Sequence, residues 1–111
     1  MSPEVRKFLG DMADAADSIR RFADGRQLAD LAADDLLRSG IYWKFVVIGE
    51  ALAQIKRIDE PTFNQISESW RIVGFRNQII HGYSVIRDTV TWQIIQDKLP
   101  ILQKEVAELL A

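Results

Sequence analysis

Apolar residues return along this chain at helical intervals. Phe8, Met12, Ala15, Ile19 and Phe22 follow one another at spacings of four, three, four and three, which lays an apolar stripe along one helix. Ser2-Pro3-Glu4 predicts its start, because serine can cap, proline suits the first helical position and glutamate meets the positive end of the dipole. Asp24-Gly25 predicts its end after about Ala23, with Gly25 as a left-handed cap. A short helix is expected over Gln27 to Ala33, then a long one from Asp34 or Asp35 to Arg57. The centre of that helix, Ile41 to Ile55, is apolar nearly all round, which suits the middle of a bundle or a dimer interface. A strand is the competing reading for Phe45 to Ile48, and the Ala51-Leu-Ala-Gln-Ile-Lys56 continuation favours helix.

Asp59-Glu60-Pro61 breaks the pattern and predicts a turn or short helix through Ile66. Ser67 or Ser69 is then placed to cap a helix that carries Trp70 to His81, and Gly82 ends or loosens it. Asp88-Thr89 begins the last helix, whose apolar positions Val90, Ile94, Ile95, Leu99, Leu102, Val106, Leu109 and Leu110 keep near-helical spacing. Pro100 predicts a kink or short break at Leu99-Pro100. The chain has no internal repeat, no low-complexity stretch, no glycine-rich phosphate loop and no alternating strand pattern. It therefore reads as one domain over residues 1–111, an all-α, up-and-down bundle of four to five helices.

Charge narrows the chemistry. Fourteen Lys and Arg against sixteen Asp and Glu leave a net charge of −2, which argues against a broad nucleic-acid-binding surface, so any RNA contact must be local. Arg71, Arg76 and Arg87 lie near His81 in sequence, whereas the acids crowd the first third. With no cysteine and one histidine, the sequence offers neither disulfides nor an evident metal site, and no cofactor is expected. The longest apolar run is too short to span a bilayer and the N-terminus lacks an apolar signal core, so a cytoplasmic protein is expected.

The candidate chemistry gathers in Trp70-Arg-Ile-Val-Gly-Phe-Arg-Asn-Gln-Ile-Ile-His-Gly-Tyr83. On a helical wheel Ile72, Val73, Ile79 and Ile80 form one apolar stripe with Arg76 in its middle, and Trp70, Gly74, Asn77 and His81 form a second stripe beside it. His81 is the side chain suited to proton transfer near neutral pH. Arg76 presents a forked, permanent cation suited to a phosphate or a phosphorane-like transition state. The pair suits RNA cleavage by the ribose 2′-hydroxyl, which requires proton transfer and charge stabilisation but no protein nucleophile. Asn77 can orient the imidazole or bind a phosphate oxygen, and Tyr83 adds a hydroxyl.

Each residue also has a plainer explanation. An Arg and a His at this spacing occur in many helices, and five residues correspond to about 140° of rotation, so the two side chains face neighbouring directions. A second copy of the helix across a twofold axis would complete one cleft from two such pairs. Glu50, inside the apolar run, reads either as an acid paired with Arg71 or Arg76 or as an acid on a partly exposed edge. Trp43, Trp70 and Trp92 read as core or interface anchors rather than base-stacking platforms.

The pattern Arg76-Asn-Gln-Ile-Ile-His81-Gly-Tyr83 resembles the HepT-like toxins of the HEPN superfamily. The Ile48-Gly-Glu-Ala51 stretch, Trp70-Arg71, Asp88, Trp92 and Leu99-Pro100 are similar to that family as well, so the likeness covers nearly the whole chain. The resemblance implies an all-α homodimer acting as a metal-independent endoribonuclease on RNA such as tRNA or mRNA, the toxin of a type VII-like toxin–antitoxin pair. It makes Arg76 and His81 the catalytic pair and Asn77 a support; from the residues themselves, Glu50 and Arg71 are further candidates to stand behind that pair. It also makes Tyr83 the residue to which a partner nucleotidyltransferase of the MNT type transfers AMP, silencing the toxin. The alternative is a non-catalytic helical dimer that binds nucleotide or the nucleotidyltransferase.

Overall fold

The computed structural model describes residues 1–82 and 85–111. Four long helical arms carry the fold: α1 (Pro3–Ala23), α3 (Asp35–Ile58), α5 (Ser69–Ile80) and a final arm of α6 (Asp88–Gln93), a π-turn (Ile94–Lys98) and α7 (Leu99–Leu110). Two short helices, α2 (Leu28–Ala33) and α4 (Glu60–Asn64), bridge the connections, and no strand occurs among the described residues. The long apolar helix α3 is the central post. It packs on α1 and on α5, while α1 also packs on α7.

Local signals set the helix ends. Ser2 accepts a hydrogen bond from the Val5 N–H at 3.1 Å and starts α1, and Asp34 and Asp59 do the same for α3 and α4 through Leu37 and Thr62. Gly25 takes φ +70° just beyond α1. The core face of α1 is rotated slightly from the expected stripe: Val5, Leu9, Met12, Ala16, Ile19 and Ala23 are buried, while Phe8 is half-buried and Phe22 lies exposed at its edge. Alanines at 15 and 16 widen the buried face and bring α1 close to α3.

The final arm departs from expectation in one respect. Its break takes the form of a π-turn just before Pro100, with the Leu99 N–H donating to the Ile94 carbonyl rather than to that of Ile95. Proline supplies no N–H and its ring crowds the carbonyl four residues back, so the loosened turn accommodates it. The wider turn also lines up buried Thr91, Ile95, Leu99, Leu102 and Val106 on one face.

Candidate functional site

The start of α5 is set by tertiary contacts. Neither serine supplies its cap: the N-cap is Glu68, in the left-handed region at φ +54°, while the Ser67 N–H and Oγ donate to the Glu105 carboxylate at 3.0 and 2.5 Å and Ser69 is buried. Glu68 pairs with Lys98 at 3.0 Å and Arg71 at 3.2 Å, and the Lys98 ammonium foremost holds its carboxyl below the usual range. At the other end, the His81 N–H donates to the Asn77 carbonyl at 3.1 Å, and Gly82 follows at φ +118°.

Between these ends α5 is held by its apolar face. Ile79 is buried, Ile72, Val73 and Phe75 are half-buried, and the Phe75 ring meets Phe45 of α3 edge-on at 5.2 Å. Ile80, placed by the wheel on the same stripe, is exposed. Arg76 points at α3. Its stem lies over Gly49, where a Cβ would sit 2.3 Å from Arg76 Cβ and 2.8 Å from Cγ. Its guanidinium meets Glu50 Oε2 at 3.1 Å and donates to Asn77 Oδ1 at 2.9 Å. The side chain is 18% exposed and Nε is buried with no hydrogen-bond partner among the described residues. The arginine is thus fixed by packing along its stem and by two oxygen acceptors at its tip.

His81 stands apart from that cluster. It is exposed and lines a recess with Asn77, Gln78, Val85, Ile86, Arg87 and Val90, to which Arg76 does not contribute. No hydrogen bond joins Arg76 to His81 among the described residues. Asn77 is the element common to both: its Oδ1 holds Arg76 and the residue borders the His81 recess. The wheel's angular separation of Arg76 and His81 is therefore visible as two adjoining groups of residues that meet at Asn77.

Both readings of Glu50 apply: it pairs with Arg76 and not Arg71, and it does so from an exposed edge, 54% exposed, where Gln54 Nε2 donates to it at 3.4 Å. Arg71 is paired with Glu68, stacks over the Trp70 ring at 5.0 Å, and lines a mainly apolar cavity of about 340 Å³ between α3, α5 and the final arm. Tyr83 lies outside the described residues. Among the described residues no group of three or more His, Cys, Asp or Glu is arranged to hold a metal ion, and no helix is long and apolar enough to cross a membrane.

One residue that holds Arg76 was given no role by the sequence reading. Gly49 carried a faint signal, since a glycine inside a strong helix costs about 1 kcal/mol and implies close packing. Arg87, near His81 in sequence, lines the same recess.

The family described as “Ribonuclease HepT-like” matches residues 12–109. Two proteins of Methanocaldococcus jannaschii, each named “Putative RNase”, are 27% identical to the chain. One aligns over 104 residues, 93% of this chain and 94% of that relative, and the other over 109 residues, 96% and 88%. A third protein with that name, from Caldanaerobacter subterraneus subsp. tengcongensis, is 26% identical over 87 residues, 78% of this chain and 76% of the relative. No solved structure matches the chain significantly.

Proposed function

Because the chain belongs to the HepT-like ribonuclease family, we propose that it is an endoribonuclease in which Arg76 and His81 do the chemistry without a metal. The observation that carries this reading is the holding of Arg76: a mostly buried guanidinium fixed by Glu50 and Asn77, with Asn77 bordering the recess of the sole histidine. His81 removes the proton of a ribose 2′-hydroxyl, the 2′-oxygen bonds to the adjacent phosphorus, and the P–O5′ bond breaks. The 5′-oxygen leaves with a proton returned from an imidazolium, and a 2′,3′-cyclic phosphate remains. Arg76 neutralises the charge that builds on the phosphoryl oxygens.

The separation of the two groups favours assembly of the cleft from two copies. Leu36, Trp43, Val47 and Glu50 fall on one outward stripe of α3, Leu36 and Trp43 are strongly exposed, and Glu50 joins this stripe to α5 with its exposed Trp70 and Ile80. A twofold axis through this face would set the Arg76 of one copy near the His81 of the other. Arg71 serves this reading as a cation at the edge. The resemblance to HepT-like toxins further supports a partner nucleotidyltransferase that silences the enzyme, the Tyr83 oxygen attacking the α-phosphorus of ATP with loss of pyrophosphate. AMP there would compete for Arg76 and obstruct RNA.

The test is cleavage of single-stranded RNA by the purified protein. Arg76→Ala and His81→Ala should each lower the rate by at least about a hundredfold, and the step in the pH–rate profile should vanish in His81→Gln. Full activity in both alanine variants would remove the assignment. Nucleotide binding without turnover would favour the non-catalytic dimer.

A further inference from the structure

We infer that Gly49 of α3 is a positioning residue for Arg76: the absence of a side chain there forms the slot in which the arginine stem lies. Its consequence for catalysis rests on the ribonuclease reading; the slot itself does not. The chain's six glycines differ in what a methyl group would meet. Gly25 and Gly82 are turn glycines with positive φ, and Gly10 and Gly74 have nothing within 4 Å. At Gly40 a Cβ would touch the edge of the Phe22 ring at 3.3 Å, which a small ring movement relieves. At Gly49 the neighbours at 2.3 and 2.8 Å are Cβ and Cγ of Arg76, the part of the side chain tied to the backbone of α5. No rotation of the distal arginine can open that space.

Gly49 sits inside the longest helix with no positive φ, so turn geometry does not account for it. What accounts for it is Arg76. The next residue, Glu50, supplies the acceptor for the guanidinium, so Gly49 and Glu50 act as a pair, one receiving the stem and the other the tip. The buried, unpartnered Nε fits the same picture: the middle of the side chain is held by contact, and the terminal nitrogens carry the polar interactions. A methyl at position 49 would push α5 outward, because rotation about the arginine Cα–Cβ bond leaves Cβ where it is. That movement takes the guanidinium away from Glu50 of α3.

The experiment uses the full chain and three readouts. In a ¹H–¹⁵N spectrum of arginine side chains, the Arg76 Nε–H, identified by its loss in Arg76→Lys, should exchange slowly with solvent, and Gly49→Ala should shift it and abolish that protection. In RNA cleavage, Gly49→Ala should lower kcat by up to about a hundredfold with KM little changed, whereas Gly10→Ala retains the wild-type rate. In thermal unfolding, Gly49→Ala should lower the Tm of the wild type but have little effect in an Arg76→Gly background, where the stem is absent. An unchanged Nε–H signal, or an equal loss of Tm in both backgrounds, overturns the inference. A wild-type protein that cuts no RNA overturns the ribonuclease reading alone, because the spectrum and the Tm coupling still decide the slot. Should Gly49→Ala fold poorly, recovery of the fold in Gly49→Ala/Arg76→Gly supports the slot, and no recovery counts against it.

Discussion

Three carboxylates titrate below their usual range, each for a local reason. Asp59 accepts from the Thr62 hydroxyl at 2.7 Å and its N–H at 3.2 Å, with the hydroxyl acting most strongly. Asp34 is held down chiefly by the Leu37 N–H and Glu68 chiefly by Lys98. A depressed carboxyl stabilises the fold above its unfolded pKa and loses that contribution as pH falls through the folded value. All three are solvent-screened, so each contribution is small. The expected result is a thermal midpoint that falls on acidification below about pH 4, with a shallower fall in Asp59→Asn. Calorimetry across pH checks this, and an identical acid slope in the variant would show that the α4 cap takes no part. Of the caps, Ser2 was legible in the sequence, whereas Asp34 was read only as a possible helix start and Asp59 only as part of the break that begins a turn or short helix. The partner of Glu50 was not legible, because Arg71 and Arg76 are equally available in one dimension and only the α3–α5 crossing selects Arg76.

Among the elements, α1, α3 and the final arm follow from periodicity and helix stop signals, which are local. The beginning of α5 does not. A serine cap is the local preference there, and the Glu68 pairs with Lys98 and Arg71 and the Glu105 bonds to Ser67 override it. The slot for Arg76 was likewise beyond a sequence reading, because it joins two elements distant along the chain. The π-turn leads to a specific expectation. Removing one residue from it, for example Asp97, returns the arm to a regular helix with both flanks on their original faces but leaves Pro100 in a helix interior. That deletion should cost about 3 kcal/mol, and adding Pro100→Ala should restore most of it. Denaturant unfolding of the single and combined variants measures this, and equal stability of the two would show that the turn does not serve the proline.

At the scale of the whole molecule, two of the largest apolar side chains are left uncovered. Trp43 is 62% exposed and Trp70 67%, so in a single copy neither is the core anchor that its size suggests. The proposed twofold assembly would cover them, and light scattering should find two copies in the wild type and one in Trp43→Glu, together with lost RNA cleavage. A monomeric wild type that cuts RNA would place the whole reaction within one copy. Of the three tryptophans, Trp43 and Trp70 are exposed and Trp92 is half-buried. The protein therefore carries its own optical gauge of assembly. Indole emission should move to the red as a dilution series crosses the dissociation constant, and Trp43→Phe and Trp70→Phe would divide that change between the two helices.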